Sequence, residues 1–451
     1  MQLSTAAKLL QATLHPATAE NLNFSGVSTD TRSIQPGNLF VAIKGPHFDG
    51  HDFIEQAQIK KAAAVLVDHI RNSSLPYLQV QDTVKALGKL AAHHRDQFLI
   101  PMIGITGSCG KTTARALTAS ILNECAPTLF SESSFNNEIG VPLTLLRLEP
   151  QHQFAVIEMG ANHFGEIAYL TQLAKPTVAL ITNAAQAHLE GFGDVAGVCR
   201  AKGEIFLGLP EDGIAILNAD DMHLSNWEKM VASKKILRFS LSQSTADIYA
   251  KQISLNEESK SSFILVTPMG EAPIQFPLAG QHNIANALAA ATIAYALNMP
   301  LTVIKQGLEK ANAVKKRLNF HTLQKGVCLI DDSYNANPLS VSAAIDILAC
   351  QEGEKILVLG DMRELGEHSE TAHRSMGEKA RQAGIDRLYA YGHFSALAAE
   401  AFNKNAQHFT DQDFLIAQLK ENLAPPTTIL VKGSLSMKMG RVVEALLKTQ
   451  K

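Results

Sequence analysis

The chain has a single tryptophan, 6% aromatic residues and five cysteines in 451 positions. Cys109, Cys125, Cys199, Cys328 and Cys350 are scattered without a close pair, which excludes a zinc-site or disulfide framework and fits a reducing compartment. Charge of one sign is also missing. A net charge of -3 leaves no broad basic field for a nucleic acid, so phosphate recognition has to be local. Long hydrophobic runs are absent as well: the most apolar stretch, Ile284 to Leu297, is Ala-rich, is interrupted by Asn286 and is too short to span a bilayer. Met1 to Leu14 lacks the basic segment and apolar core of a signal peptide. A cytoplasmic protein without membrane insertion and without a nucleic-acid partner is expected.

What remains is the profile of an α/β enzyme, with 46% hydrophobic and 18% charged residues. At about 150 residues per domain, the length predicts about three domains. The first stretch mixes short β-like runs, Asn38–Ile43 and Ala63–Val67, with the turn Gly45-Pro46, and reads as a small α/β domain over 1–82. Apolar positions Val84, Leu87, Leu90 and Ala91 recur at helical spacing behind Asp82, a helix that leads into a central domain over 83–316. There the strand Pro101–Thr106 precedes a glycine loop. The following helix, from Thr112, places Ala114, Leu117, Ile121 and Cys125 on one face. Phe154–Ile157 and Val178–Ile181 are continuous apolar runs of the kind parallel sheets bury on both faces. Beyond Arg317, four strand runs separated by helix-length stretches predict a doubly wound, Rossmann-like domain over 317–451. The fold class is α/β, three domains in series.

The loop Gly107-Ser108-Cys109-Gly110-Lys111-Thr112-Thr113 has the residue types that a triphosphate needs. Backbone N–H groups of a glycine-rich turn at a helix amino terminus surround concentrated negative charge without bulky side chains intervening. Lys111 adds a point charge for the terminal phosphates, and the Thr112 hydroxyl suits Mg²⁺. The strict eight-residue pattern is not met, because its first glycine is Ile105 and Thr106-Gly107 supplies the turn.

Glu158 ends a buried strand, where a carboxylate reaches the metal that Thr112 begins to coordinate. His188 lies in a loop past the next strand, and a lone loop histidine is ordinarily just solvated. By composition Lys202 is a surface lysine. Asp331-Asp332-Ser333-Tyr334-Asn335-Ala336-Asn337-Pro338 crowds polar groups at a strand end, with Pro338 suited to start a helix. Asn283 precedes an Ala-rich helix and is either its cap or a ligand-facing group.

The loop Thr106 to Thr113 resembles that of the Mur ligases, ATP-dependent amide-forming enzymes of bacterial peptidoglycan precursor synthesis. Phe135 to Pro142, Glu158-Met159-Gly160-Ala161, Ala187 to Phe192, Ala201 to Phe206, Gly280 to Asn283 and Lys432-Gly433-Ser434 agree in order and spacing, so the resemblance covers essentially the whole chain. Asp331 to Pro338 resembles the branch that joins D-alanyl-D-alanine to a UDP-N-acetylmuramoyl-tripeptide, and the Asp-Asn-Pro-Arg segment of diaminopimelate-specific relatives is absent. The chain departs from the family pattern at Leu435, where Arg is frequent, and at Gly440, where Glu is common.

The resemblance implies a carboxylate activated by ATP as an acyl phosphate and then attacked by an amine. It places the β- and γ-phosphates of ATP on Gly107 to Thr113, one Mg²⁺ on Thr112 and Glu158, and a second on His188. Lys202 is implied to be carbamylated, supporting the metal site. Asn283, Arg317, Asp332 and Tyr334 match positions around the nucleotide's base and ribose, while Thr31 and Arg32, with Asn136 and Asn137, fall on the uridine-nucleotide substrate. A monomer is expected. Folylpolyglutamate synthetase shares the central chemistry but does not need the amino-terminal segment with Asp30-Thr31-Arg32. A GTP-dependent switch needs an Asn-Lys-x-Asp element, and Asn403-Lys404-Asn405 is followed by Ala406. A non-catalytic nucleotide-binding module leaves Glu158, His188 and Lys202 without a role.

Overall fold

The structure, a computed structural model, describes residues 1–70, 73–132, 135–255, 260–323, 326–421 and 423–448. Its strands form three sheets in series. The first runs, edge to edge, Thr13–His15, Tyr77–Gln79, Ala64–Val67, Leu39–Val41 and Val27–Ser28, parallel except for the outer Thr13–His15 pair. The helix Thr83–Arg95 starts where Asp82 accepts the Lys85 N–H at 2.9 Å. It buries Ala86, Leu87 and Leu90 in the core of the first sheet and Ala91 in that of the second, so it packs on both.

The middle sheet has nine strands, and its center explains the apolar runs. Met102–Thr106 lies between Phe154–Glu158 and Val178–Ile181, all parallel. Ile103, Ile105 and Val156 enter one core, while Met102, Ala155 and Ile157 enter the other, so both faces are covered. A hairpin of Ser261–Thr267 and Gly270–Phe276 extends the sheet beyond Ile248–Leu255. Burial alternates along these two strands; Phe263–Val266 is an unbroken apolar run in the first, whereas Glu271, Pro273 and Gln275 take the exposed positions of the second.

Two helices place the phosphate loop. The first, Lys111–Asn123, buries Ala114, Leu117 and Ile121 as its spacing requires. Cys125 does not continue that face: the helix stops at Asn123, whose side chain accepts the Thr128 N–H at 3.1 Å, and Cys125 is exposed two residues before Pro127. The second, Gln281–Ala296, is buried nearly all round, and its small alanines let it press closely on the first.

The last sheet orders Asn319–Thr322, Val327–Asp332, Thr427–Lys432, Glu354–Gly360, Arg387–Tyr391 and Ala406–Phe409, parallel except for the first edge strand. Cores on both faces make it doubly wound. Pro338 opens the helix Pro338–Ala349 under an Asn337 cap. Among the described residues, no helix is long and apolar enough to cross a membrane.

Candidate active site

The carboxyl ends of the middle and last sheets face a cleft of about 1010 Å³, the position where open α/β sheets bind ligands. The loop after Met102–Thr106 forms its floor. Gly107 has φ 147° and Gly110 φ 83°, and a Cβ at either would strike Thr182 Oγ1 or Asn286 Oδ1 respectively, so only glycine fits. Thr182 and Asn183, ending the next strand, fasten the loop: Thr182 Oγ1 donates to the Cys109 carbonyl at 2.6 Å, and Asn183 Oδ1 accepts the Cys109 N–H at 2.9 Å. Lys111 folds back, its Nζ donating to the Gly107 carbonyl at 2.6 Å, and burial lowers its pKa against the pull of Glu158. Ser108 Oγ bonds the Ala185 backbone, and Thr113, buried, also lines the cleft.

Thr112 and Glu158 meet as the sequence suggests: Thr112 Oγ1 donates to Glu158 Oε1 at 3.1 Å. Asn136 Nδ2 donates to the same oxygen at 2.9 Å, whereas Glu158 Oε2, buried, accepts no hydrogen bond among the described residues and has the Arg115 Nε at 3.5 Å. A hydroxyl beside a carboxylate oxygen with spare lone pairs is the hard oxygen set that Mg²⁺ takes, so these residues fit the ion. Asn137 lines the cleft, and its Oδ1 accepts the Gly140 N–H at 2.9 Å.

Lys202 overturns its compositional reading. It is 0% exposed in the helix Val195–Gly203, its Nζ has no hydrogen-bond partner among the described residues, and the Phe192 ring lies 5.3 Å away. Burial pushes its amine down to about 7, with the Lys111 charge adding to the shift. A buried, unpaired amine that is about half neutral at pH 7 is chemically suited to combine with CO₂, whereas a solvated lysine with a pKa near 10.5 is almost wholly protonated there. His188 caps the short helix Leu189–Phe192 with φ 55°, and its Nδ1 lies 2.5 Å from Glu364 Oε2, a residue of the last unit. The imidazole beside it holds the Glu364 carboxyl below its ordinary range.

The last unit closes the cleft. Arg317 Nη2 donates to Thr112 Oγ1 at 2.9 Å while its guanidinium covers the Tyr334 ring at 4.3 Å. Asp332 Oδ2 accepts from Lys432 Nζ at 2.5 Å, and Asn337 Nδ2 lies 3.0 Å from Cys109 Sγ. Asn283 sits within its helix, Gly280 holding the cap position, and its Nδ2 donates to the Ala279 carbonyl at 2.7 Å. Beside it, burial pushes His282 down to about 4, so it is neutral.

Thr31 and Arg32 are not brought to this cleft. Thr31 Oγ1 donates to Gln56 Oε1 at 3.1 Å, and the exposed Arg32 pairs with Asp30 at 2.6 Å. A separate cluster of Asp49, His51 and His69 has metal-type donors, but His51 Nδ1 is taken by Asp49 at 2.6 Å and its Nε2 lies 3.4 Å from the Asp68 N–H.

Sequence reasoning missed Arg115, Asn286, Glu364 and Lys432. Arg115 stands one helical turn past Lys111 and so shares its face, which was a usable signal. Lys432 belongs to the Lys-Gly-Ser segment already singled out, without a site role attached. Nothing local marks Glu364.

Residues 105–294 match the family model of the Mur ligase middle domain, 316–435 that of the Mur ligase glutamate ligase domain, and 23–95 that of the Mur ligase family catalytic domain. Over 446 residues the chain is 46% identical to the UDP-N-acetylmuramoyl-tripeptide--D-alanyl-D-alanine ligase of Escherichia coli (strain K12), with 98% of each chain covered. The crystal structure of MurF from Acinetobacter baumannii superposes with a TM-score of 0.91 at 35% identity, covering 99% of this chain and 98% of that one. A MurF ligase of Thermotoga maritima in complex with ADP gives a TM-score of 0.83 at 27% identity, covering 95% and 98%.

Proposed function

The chain belongs to the Mur ligase family, and we propose that it joins D-alanyl-D-alanine to UDP-N-acetylmuramoyl-tripeptide, cleaving ATP to ADP and phosphate. The likeness to the E. coli ligase, near-complete in both chains, carries the choice of substrates. The unpaired, buried Lys202 beside the phosphate loop supports the chemistry.

A peptide carboxylate at neutral pH is a poor acyl donor, so it must first take the γ-phosphoryl group. Its oxygen attacks phosphorus, the bond to the β-bridging oxygen breaks, and ADP leaves. The dipeptide amine then attacks the acyl carbon, and phosphate departs with the former carboxylate oxygen. In this reading Lys111 leaves the Gly107 carbonyl for the β- and γ-phosphates, joined by the amides of Ser108 to Thr113. Thr112 and Glu158 would hold one Mg²⁺, and His188 a second, with Lys202 as its carbamate turning a cation into a supporting carboxylate. Bound there, the ions neutralise charge developing on the transferred phosphoryl group. Asn283, Arg317, Asp332 and Tyr334 receive the nucleoside. Thr31 and Arg32 hold the uridine nucleotide, Asn136 and Asn137 bind the same substrate, and closure around the cleft keeps water from the acyl phosphate. The enzyme acts as a monomer in the bacterial cytoplasm.

Phosphate release from ATP tests the reading. It is expected only when UDP-muramoyl-tripeptide and D-alanyl-D-alanine are both present. Equal release with folate and glutamate, or from GTP alone, would overturn it.

A further inference from the structure

We infer that Glu364 is a positioning residue for His188, holding the imidazole from the last unit so that its Nε2 is presented to a metal ion. This rests on the reading of His188 as a metal ligand given above.

A ligating imidazole commonly donates its other ring N–H to a carboxylate, which fixes the tautomer and the ring's direction. Glu364 Oε2 lies 2.5 Å from His188 Nδ1. The two atoms touch without an aligned N–H···O bond, so the contact fixes where the ring sits, and the tautomer with its proton on Nδ1 leaves the lone pair on Nε2. The carboxylate is held to this task by its neighbours. Met362 and Leu365, on either side, are buried in the core of the last unit. The Met362 N–H donates to His373 Nε2 and the Arg363 N–H to Ser434 Oγ, each at 2.9 Å. Between these anchors Glu364 adopts φ 65°, and His188 opposite adopts φ 55°. Non-glycine residues enter this left-handed region at a cost, and such strain collects where geometry serves function. The Glu364 carbonyl also accepts the Glu190 N–H at 3.3 Å, so backbone and side chain together clasp the segment that carries His188. His188 is half-buried against the Phe192 ring, whereas the Glu364 side chain is 50% exposed, so the pair contributes little stability as an ion pair.

The test compares Glu364→Ala, Glu364→Gln, His188→Ala and the Glu364→Ala/His188→Ala double variant of the full chain. Glu364→Ala should lower kcat about 10- to 100-fold and raise the Mg²⁺ concentration for half-maximal phosphate release by a similar factor, with the KM for ATP unchanged. Mn²⁺ binding in the presence of ADP, read by electron paramagnetic resonance, should weaken in step. Glu364→Gln, whose carbonyl keeps the contact with Nδ1, should recover most of the loss. In the His188→Ala background, Glu364→Ala should add nothing. A wild-type Mg²⁺ response in Glu364→Ala, or losses that multiply in the double variant, overturns the inference while leaving the His188 reading intact. A wild-type Mg²⁺ response in His188→Ala overturns both.

Discussion

Lys432, which lines the cleft, and Lys202, close enough to Lys111 to feel its charge, are both buried, at 2% and 0% exposure, yet their surroundings are opposite. Lys432 is completed by its neighbours: Asp332 Oδ2 at 2.5 Å and the Asn335 carbonyl at 3.0 Å receive its protons. Lys202 faces an aromatic ring and has no acceptor among the described residues. Burying a charge is tolerated when it is paired, and an unpaired buried amine sheds its proton instead. The difference teaches which lysine is a finished structural contact and which is a reactive group awaiting chemistry.

The largest expected effect comes from removing the reactive one. Lys202→Ala should reduce phosphate release about a thousandfold, roughly 4 kcal/mol in barrier, and bicarbonate should not restore it. Near-normal turnover in that variant would erase the contrast between the two lysines. Lys432→Met tests the other side, because it strands Asp332 in a buried site. Destabilisation of about 3–5 kcal/mol is expected by denaturant unfolding, and Lys432→Met with Asp332→Asn should regain much of it. A single variant as stable as wild type would show that the pair is not a stabilising unit.

A smaller effect sharpens the comparison through pH. In CO₂-free buffer the folded chain loses the Lys202 proton near 7, whereas the unfolded chain keeps it to about 10.5. Across that window the unfolded state binds more protons, so this term raises stability as pH climbs above 7; below 7 both states are protonated and it is flat. Lys202→Met removes it. The stability advantage of Lys202→Met over wild type should therefore be greatest below pH 7 and shrink by about 2–3 kcal/mol by pH 9. Melting curves from pH 6 to 9 give the answer, and an advantage independent of pH would mean that Lys202 is not titrating in this range.

Much of the fold is legible because parallel strands covered on both faces leave continuous apolar runs, as at Met102–Thr106 and Thr427–Lys432. The hairpin of Ser261–Thr267 and Gly270–Phe276 was not picked out: Phe263–Val266 is a continuous apolar run, but its partner strand is broken by Glu271, Pro273 and Gln275. Within the site, Gly107 to Thr113 and Glu158 stand out because a glycine loop between strand and helix, and a carboxylate at a strand end, are local patterns. His188 and Lys202 drew notice only through resemblance, because by itself a histidine in a loop or a lysine in a helix looks solvated.

By itself, then, the sequence determined the order of strands and helices, the glycine loop that can approach a phosphate, and the polar groups at strand ends. These depend on neighbours a few residues away, through backbone sterics and the periodicity of apolar side chains. Tertiary structure alone decided that Lys202 would be buried without a partner, that Arg115 would stand against Glu158, and that Glu364 would reach His188 from another sheet. Desolvation and charge pairing are set by whichever atoms the folded chain brings within a few ångströms, and those atoms come from segments far apart in sequence.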